Sequence, residues 1–148
     1  MDKLKVFISD DSATVRERLV NMALDLPEIV VVGQAQDASG SLAAIRQTRP
    51  DVVILDIRMP GGNGIEVLRR LKKMNPAPRV IMLTNFAYAQ YRRKCKEAGA
   101  DFFLDKSTEF DQIPQTLEHM LQDKRYEYLA QPSDTLVPDE GGVRLGSG

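Results

Sequence analysis

Apolar runs of β type recur along the chain, and each leads into residues that carry chemistry. Residues 4–9 (LKVFIS) run into Asp10 and Asp11, residues 51–56 (DVVILD) end on Asp56, and residues 79–84 (RVIMLT) end on Thr84. The run 29–35 is rich in β-branched residues and predicts a strand buried on both faces. A short strand at 101–104 delivers Lys106. Between these runs the apolar spacing changes from continuous to helical. Val15, Leu19, Met22, Ala23 and Leu26 share one helical face, with Ser12 as N-cap and Pro27 as the stop. A second helix covers 38–49 and is bounded by Pro50. The turn-rich Gly61-Gly62-Asn63-Gly64 precedes a third, from 65 to about 74. A fourth covers about 87–98 and stops at Gly99, a residue suited to a helix end. The last starts near 108 or 110 and tolerates Pro114 only in its first turn.

Five βα units in succession imply a three-layer, doubly wound α/β fold around a five-stranded parallel sheet. Such a sheet aligns the carboxyl ends of its strands along one edge, where ligands bind. Three carboxylates, a hydroxyl and an ammonium then converge there. A carboxylate such as Asp56 can act as a nucleophile toward phosphorus and form an aspartyl phosphate. Helix capping alone explains one aspartate, not the adjacent pair Asp10-Asp11. Mg²⁺ is typically held by one or two carboxylates with waters and phosphate, so the pair beside Asp56 is a candidate metal site. Thr84 is placed to donate to a phosphoryl oxygen, and Lys106 to pair first with the carboxylates and then with the phosphoryl group.

Composition narrows the picture further. The chain has 148 residues, the size of one domain. We expect that domain at 1–123, with 124–148 an extension that is helical to about 130 and then a flexible tail. Net charge is -1, which argues against direct nucleic-acid binding by the whole chain. One cysteine, Cys95, excludes an intrachain disulfide and falls on the inward stripe of the fourth helix with Tyr91 and Ala98. No apolar run reaches the ~20 residues needed to span a bilayer, so no membrane insertion and a cytoplasmic location are expected. His119 is the single histidine and lies off the apolar stripe of the last helix, a poor candidate for a phosphohistidine donor. Tyr88, Arg92, Arg93, Lys94 and Lys96 form either a solvated helix face or a partner surface.

Over about residues 3–122 the chain resembles receiver domains of two-component response regulators, of the chemotaxis-regulator type. The resemblance rests on Asp10-Asp11, the Asp-x-x-Met-Pro-x-x-x-Gly segment from Asp56 to Gly64, Thr84, Phe103 and Lys106. It implies a flavodoxin-like sheet of strand order 2-1-3-4-5. It implies Asp56 as phosphoacceptor and Mg²⁺ (or Mn²⁺) on Asp11, Asp56 and the Arg58 backbone carbonyl, with Asp10 close by or acting through water. Thr84 and Phe103 would be the switch pair, and Lys106 the phosphoryl contact. A sensor histidine kinase or histidine phosphotransfer protein would be the donor. Output would pass to a protein partner through the face made by the fourth helix, fifth strand and fifth helix, or onward in a relay. The chain would act alone, as a monomer or a phosphorylation-dependent dimer. It would be a phosphoacceptor signalling domain, not an enzyme on other substrates, that promotes its own phosphorylation and slow dephosphorylation. A phosphorylation-independent interaction module and a receiver cut from a DNA-binding regulator are the alternatives. The chain departs from the common pattern in Ser107 after the lysine, Asn85 after the threonine, and Phe103 where tyrosine is frequent. Arg58, Asn85 and Phe86 flank the expected phosphoryl position. Neither Arg58 nor Phe86 can act as a base toward water, which predicts a long-lived phosphoryl state.

Overall fold

The computed structural model describes residues 3–130, so the expected tail beyond 130 lies outside the described residues. Strands β1 (Leu4–Ser9), β2 (Ile29–Ala35), β3 (Val52–Leu55), β4 (Arg79–Thr84) and β5 (Phe102–Asp105) form one parallel sheet of order β2-β1-β3-β4-β5. Helices α1 (Ala13–Leu24) and α5 (Ile113–Ala130) cover one face; α2 (Ala38–Thr48), α3 (Gly64–Leu71) and α4 (Ala89–Glu97) cover the other. This is the doubly wound arrangement the alternation of periods predicts, with the flavodoxin-like strand order the resemblance implies.

Because the connections are crossovers, side chains of each strand face two helical layers. Alternation therefore splits the core in two. Leu4, Val6 and Ile8 join Leu19 and Leu117 on the α1/α5 side, while Phe7, Val53 and Leu55 join Ile45, Leu68 and Cys95 on the other. The three central strands are almost fully buried.

β2 differs from its expectation. It lies at the sheet edge, and of its residues only Ile29 is buried; Val30 is 37% exposed. A β-branched run reports strand propensity and not position in the sheet, and the turn to Gly33-Gln34 already lowers its apolar content. Helix ends also move. α3 stops at Leu71 and continues as turns through Lys73 and Met74, and α4 begins only after Tyr88. A 3₁₀ turn, Phe110–Gln112, leads into α5, which leaves Pro114 in its first turn.

Strand register places the site. Ser9 pairs with Leu55, and Leu55 with Met82, so Asp10 and Asp56 leave the sheet side by side. Thr84 pairs with Asp105, and the Lys106 amide donates to the Thr84 carbonyl at 2.8 Å.

Candidate functional site

Asp10 continues β1 and is 2% exposed; Asp56 continues β3 and is 5% exposed. Asp11 is exposed at the mouth. One oxygen from each of the three carboxylates lies within 4.8 Å of the others. The Lys106 ammonium closes the group from the β5 side, at 2.7 Å from Asp10 Oδ2 and 2.9 Å from Asp56 Oδ2. Its side chain is 8% exposed, so this is a desolvated contact and not a surface pair.

Local geometry fixes each carboxylate. The Asp56 Oδ1 accepts from the Ile57 amide at 2.7 Å, and the Asp10 Oδ1 from the Ser12 amide at 2.9 Å. Capping of α1 falls to Ser12, whose hydroxyl accepts from the Val15 amide, which leaves Asp11 free of that duty. Arg16 donates to the Asp10 carbonyl at 2.6 Å and ties the Asp10-Asp11 peptide to α1.

Burial pushes the Asp56 carboxyl above its ordinary range, opposed by the hydrogen bond and charge of Lys106 and reinforced by the Asp10 charge. For Lys106, burial favours the neutral amine, but the hydrogen bonds to Asp10 and Asp56 outweigh it and hold the ammonium above its usual range. One ammonium faces three carboxylates, so the group carries excess negative charge directed at one point. Hard oxygen donors with such an excess fit a hard divalent cation, Mg²⁺ or Mn²⁺.

The family model of the response regulator receiver domain matches residues 6–118. The chain belongs to the response regulator receiver domain family. This receiver is 36% identical over 145 residues to an uncharacterized response regulatory protein of Vibrio cholerae, covering 96% of this chain and 60% of that one. Among solved structures it is similar to the receiver domain of the putative response regulator NarL from Mycobacterium tuberculosis (27% identity, TM-score 0.76, 82% of this chain and 98% of that one). It is also similar to the response regulator domain of Thermotoga maritima CheB (31% identity, TM-score 0.71, 82% and 95%). The receiver spans between 36% and 60% of the length of curated relatives it matches.

Around the acidic pocket, the other flagged residues of this receiver fall in two groups. Thr84 is fully buried at the end of β4, and its hydroxyl accepts from the Phe86 amide at 3.0 Å. Phe103 is half-buried on β5. The Arg92 guanidinium lies 4.5 Å from its ring centroid and donates to its carbonyl at 3.3 Å. Asn85 is exposed. The exposed Arg58 lays its guanidinium 4.2 Å from the centre of the Phe86 ring, bridging the loops after β3 and β4. Phe86 continues edge-on to Tyr88, which stacks on Tyr91. His119 is exposed, edge-on to Phe102. Cys95 is fully buried.

Several supporting residues escaped the sequence reading. Arg58–Met59 and Gly62–Asn63 form a two-residue antiparallel ladder inside the turn-rich segment. Gly64 follows it, and a Cβ there would overlap the Asp56 carbonyl oxygen and meet Ile57 Cα at 2.8 Å. The Gly64 amide donates to the Ile57 carbonyl at 2.6 Å, so α3 starts against the backbone of the site. Behind Asp10, the buried Ser9 and Ser41 hydroxyls lie 2.5 Å apart, and Ser9 Oγ is 3.2 Å from Met59 Sδ. A motif glycine is visible in a sequence, but the backbone it touches is not.

Proposed function

We propose that Asp56 accepts a phosphoryl group from a phosphohistidine of a sensor histidine kinase or histidine phosphotransfer protein. In this reading a carboxylate oxygen of Asp56 forms the new O–P bond, the N–P bond breaks, and the imidazole leaves with its electron pair and takes up a proton. Asp10 and Asp11 are the acidic pair, and with Asp56 and the Arg58 backbone carbonyl they would hold Mg²⁺ or Mn²⁺. The ion, when bound, offsets negative charge on the transferring group. Lys106 keeps its ammonium beside Asp56 and turns from carboxylate partner to phosphoryl partner as the O–P bond forms. The observation that carries this reading is the single Lys106 ammonium shared by two buried carboxylates, with the third carboxylate at the mouth.

The product carries about two negative charges and three acceptor oxygens. Thr84 would trade its Phe86 amide contact for a phosphoryl oxygen, and Phe103 would turn into the volume released. Output would then leave through the α4–β5–α5 face, to a partner protein or in onward relay, by a protein acting in the cytoplasm as a monomer or a phosphorylation-dependent dimer. Because relatives of greater length match this receiver, the competing arrangement is one in which the same switch drives a further domain of a longer regulator.

Intact mass after incubation with Mg²⁺ and a small phosphodonor tests the assignment. One added phosphoryl group on the wild type and none on Asp56→Asn supports it. Addition at an equal rate and at the same site in Asp56→Asn refutes it. No addition to the wild type, with no Mg²⁺ affinity by titration, would favour a phosphorylation-independent interaction module.

A further inference from the structure

The edge of the sheet opposite the acidic pocket holds a cavity of about 770 Å³, lined by the amino-terminal ends of β1, β3 and β4, the end of α2 and the loop before β4. That volume is ordinary for a small-molecule site. Its lining includes apolar Met74, Pro76 and Pro78, which offer a thioether and two saturated rings for a ligand ring to pack on. Lys5, Arg46 and Arg49 line it too. Among the described residues no carboxylate lies within ion-pair distance of these three cations. Asp51 also lines the cavity but is already engaged. Its Oδ2 accepts from the Lys5 amide at 2.8 Å and from the Lys124 ammonium at 2.9 Å. Glu127 is the other carboxylate of the lining, so the cavity carries an excess of positive charge.

Arg49 adds a second, independent observation. It caps α2 with φ 49 and ψ 61, the left-handed region, and it is the one residue other than glycine with positive φ among the described residues. Glycine takes that conformation without strain, and glycine is the common residue at such a helix end.

We propose that this cavity binds a nucleotide-like ligand, with a flat ring on Met74, Pro76 and Pro78 and its phosphates on Lys5, Arg46 and Arg49. The competing account is that Arg46 and Arg49 only answer the negative end of the α2 dipole. The two accounts separate on stability against binding. Titrate the receiver with ATP in excess chelator, so that no metal bridges ATP to the acidic pocket. Follow backbone amide shifts, and compare Arg49→Gly and Arg46→Gln. The expected result is saturable binding, with shifts centred on residues 46–52 and 74–79. Affinity should fall at least tenfold in each variant, with the melting temperature of Arg49→Gly equal to or above wild type. Adenosine and inorganic pyrophosphate should each bind at least tenfold more weakly than ATP. Three results would overturn the proposal: no saturation at millimolar ATP, variants that bind as wild type while losing stability, or pyrophosphate binding as tightly as ATP. Phosphoryl acceptance at Asp56 should be unchanged in both variants, so this test and that of the Asp56 assignment fail independently.

Discussion

Burial and the Lys106 ammonium pull the Asp56 carboxyl in opposite directions, and burial prevails. Desolvation is the largest influence on its carboxyl and favours the neutral form; Lys106 opposes it, and Asp10 adds repulsion. In the absence of a divalent cation, Asp56→Asn removes the disfavoured charge and leaves Lys106 paired with Asp10. The variant should therefore be more stable than wild type in chelator, because the buried charge is gone and Lys106 keeps a carboxylate partner. Saturating Mg²⁺ should stabilise the wild type by mass action and the variant far less. Urea unfolding with and without Mg²⁺ reads both effects; a destabilised variant in chelator would contradict the assignment of burial as the dominant influence. Cys95 gives a second residue-scale outcome. Burial pushes its thiol from 9.0 up to about 11, with Arg69 pulling the other way. A raised folded pKa favours the protonated form. Its contribution to stability is therefore complete below pH 9 and lost as pH rises through about 11. At pH 8, alkylation of Cys95 should be slow in the folded protein and rapid in urea, since the thiolate is the nucleophile. Equal rates would place Cys95 at the surface.

At the scale of elements, the loops after β3 and β4 shape the site. Gly64 starts α3 where a side chain would strike the Asp56–Ile57 backbone. Gly64→Ala should cost more than 2 kcal/mol and impair Mg²⁺ binding, because relief of the overlap moves the loop that carries Asp56. A variant with wild-type urea midpoint would show that the loop yields freely. The Arg58 guanidinium over the Phe86 ring joins these two loops across the mouth of the pocket. Neither group activates water, so the phosphoryl group on Asp56 should persist. Arg58→Asn with Phe86→Glu should speed its loss several-fold, as followed by radiolabel decay; an unchanged half-life would leave the pair a purely structural cover. The strands and the residues at their ends were legible in the sequence because both depend on short-range pattern. LKVFIS, DVVILD and RVIMLT are continuous apolar runs, and the chemistry begins at the residue after each. The edge position of β2 came from the strand order the resemblance implies; its own apolar run reads as buried, since strand order arises from crossover connections and not from the run itself. The contacts of Gly64, Arg16 and Ser41 were hidden: Ser41 meets Ser9 across 32 positions, and the other two depend on how a loop folds back on a strand end, which has no repeating pattern.

At the scale of the whole molecule, the proposed switch requires that a charge placed at one edge of the sheet alter a face that includes α4 and β5. The path is short. Thr84 ends β4 two residues beyond Met82, the register partner of Phe103 on β5, and Arg92 of α4 covers the Phe103 ring and binds its carbonyl. Phe103 lacks the hydroxyl that a tyrosine would offer to hold an outward or inward position, so in the proposed switch the Arg92 stack is the contact that would hold the ring outward before phosphorylation. A cation over a ring at a partly exposed site is worth about 0.5–1 kcal/mol, and the accompanying hydrogen bond adds about as much. Loss of both would favour the inward ring by roughly 1–2 kcal/mol, or about five- to thirtyfold in population. Arg92→Ala should then populate the inward ring before any phosphoryl group is present and speed phosphorylation by a small donor several-fold. A fluorine label on Phe103 reports the ring directly. Arg92→Lys should fall between, because an ammonium keeps the charge but not the planar stack. If the wild-type label does not move on phosphorylation, Phe103 is not the switch. If it moves in the wild type while Arg92→Ala leaves the unphosphorylated spectrum unchanged, the switch stands and Arg92 does not hold it.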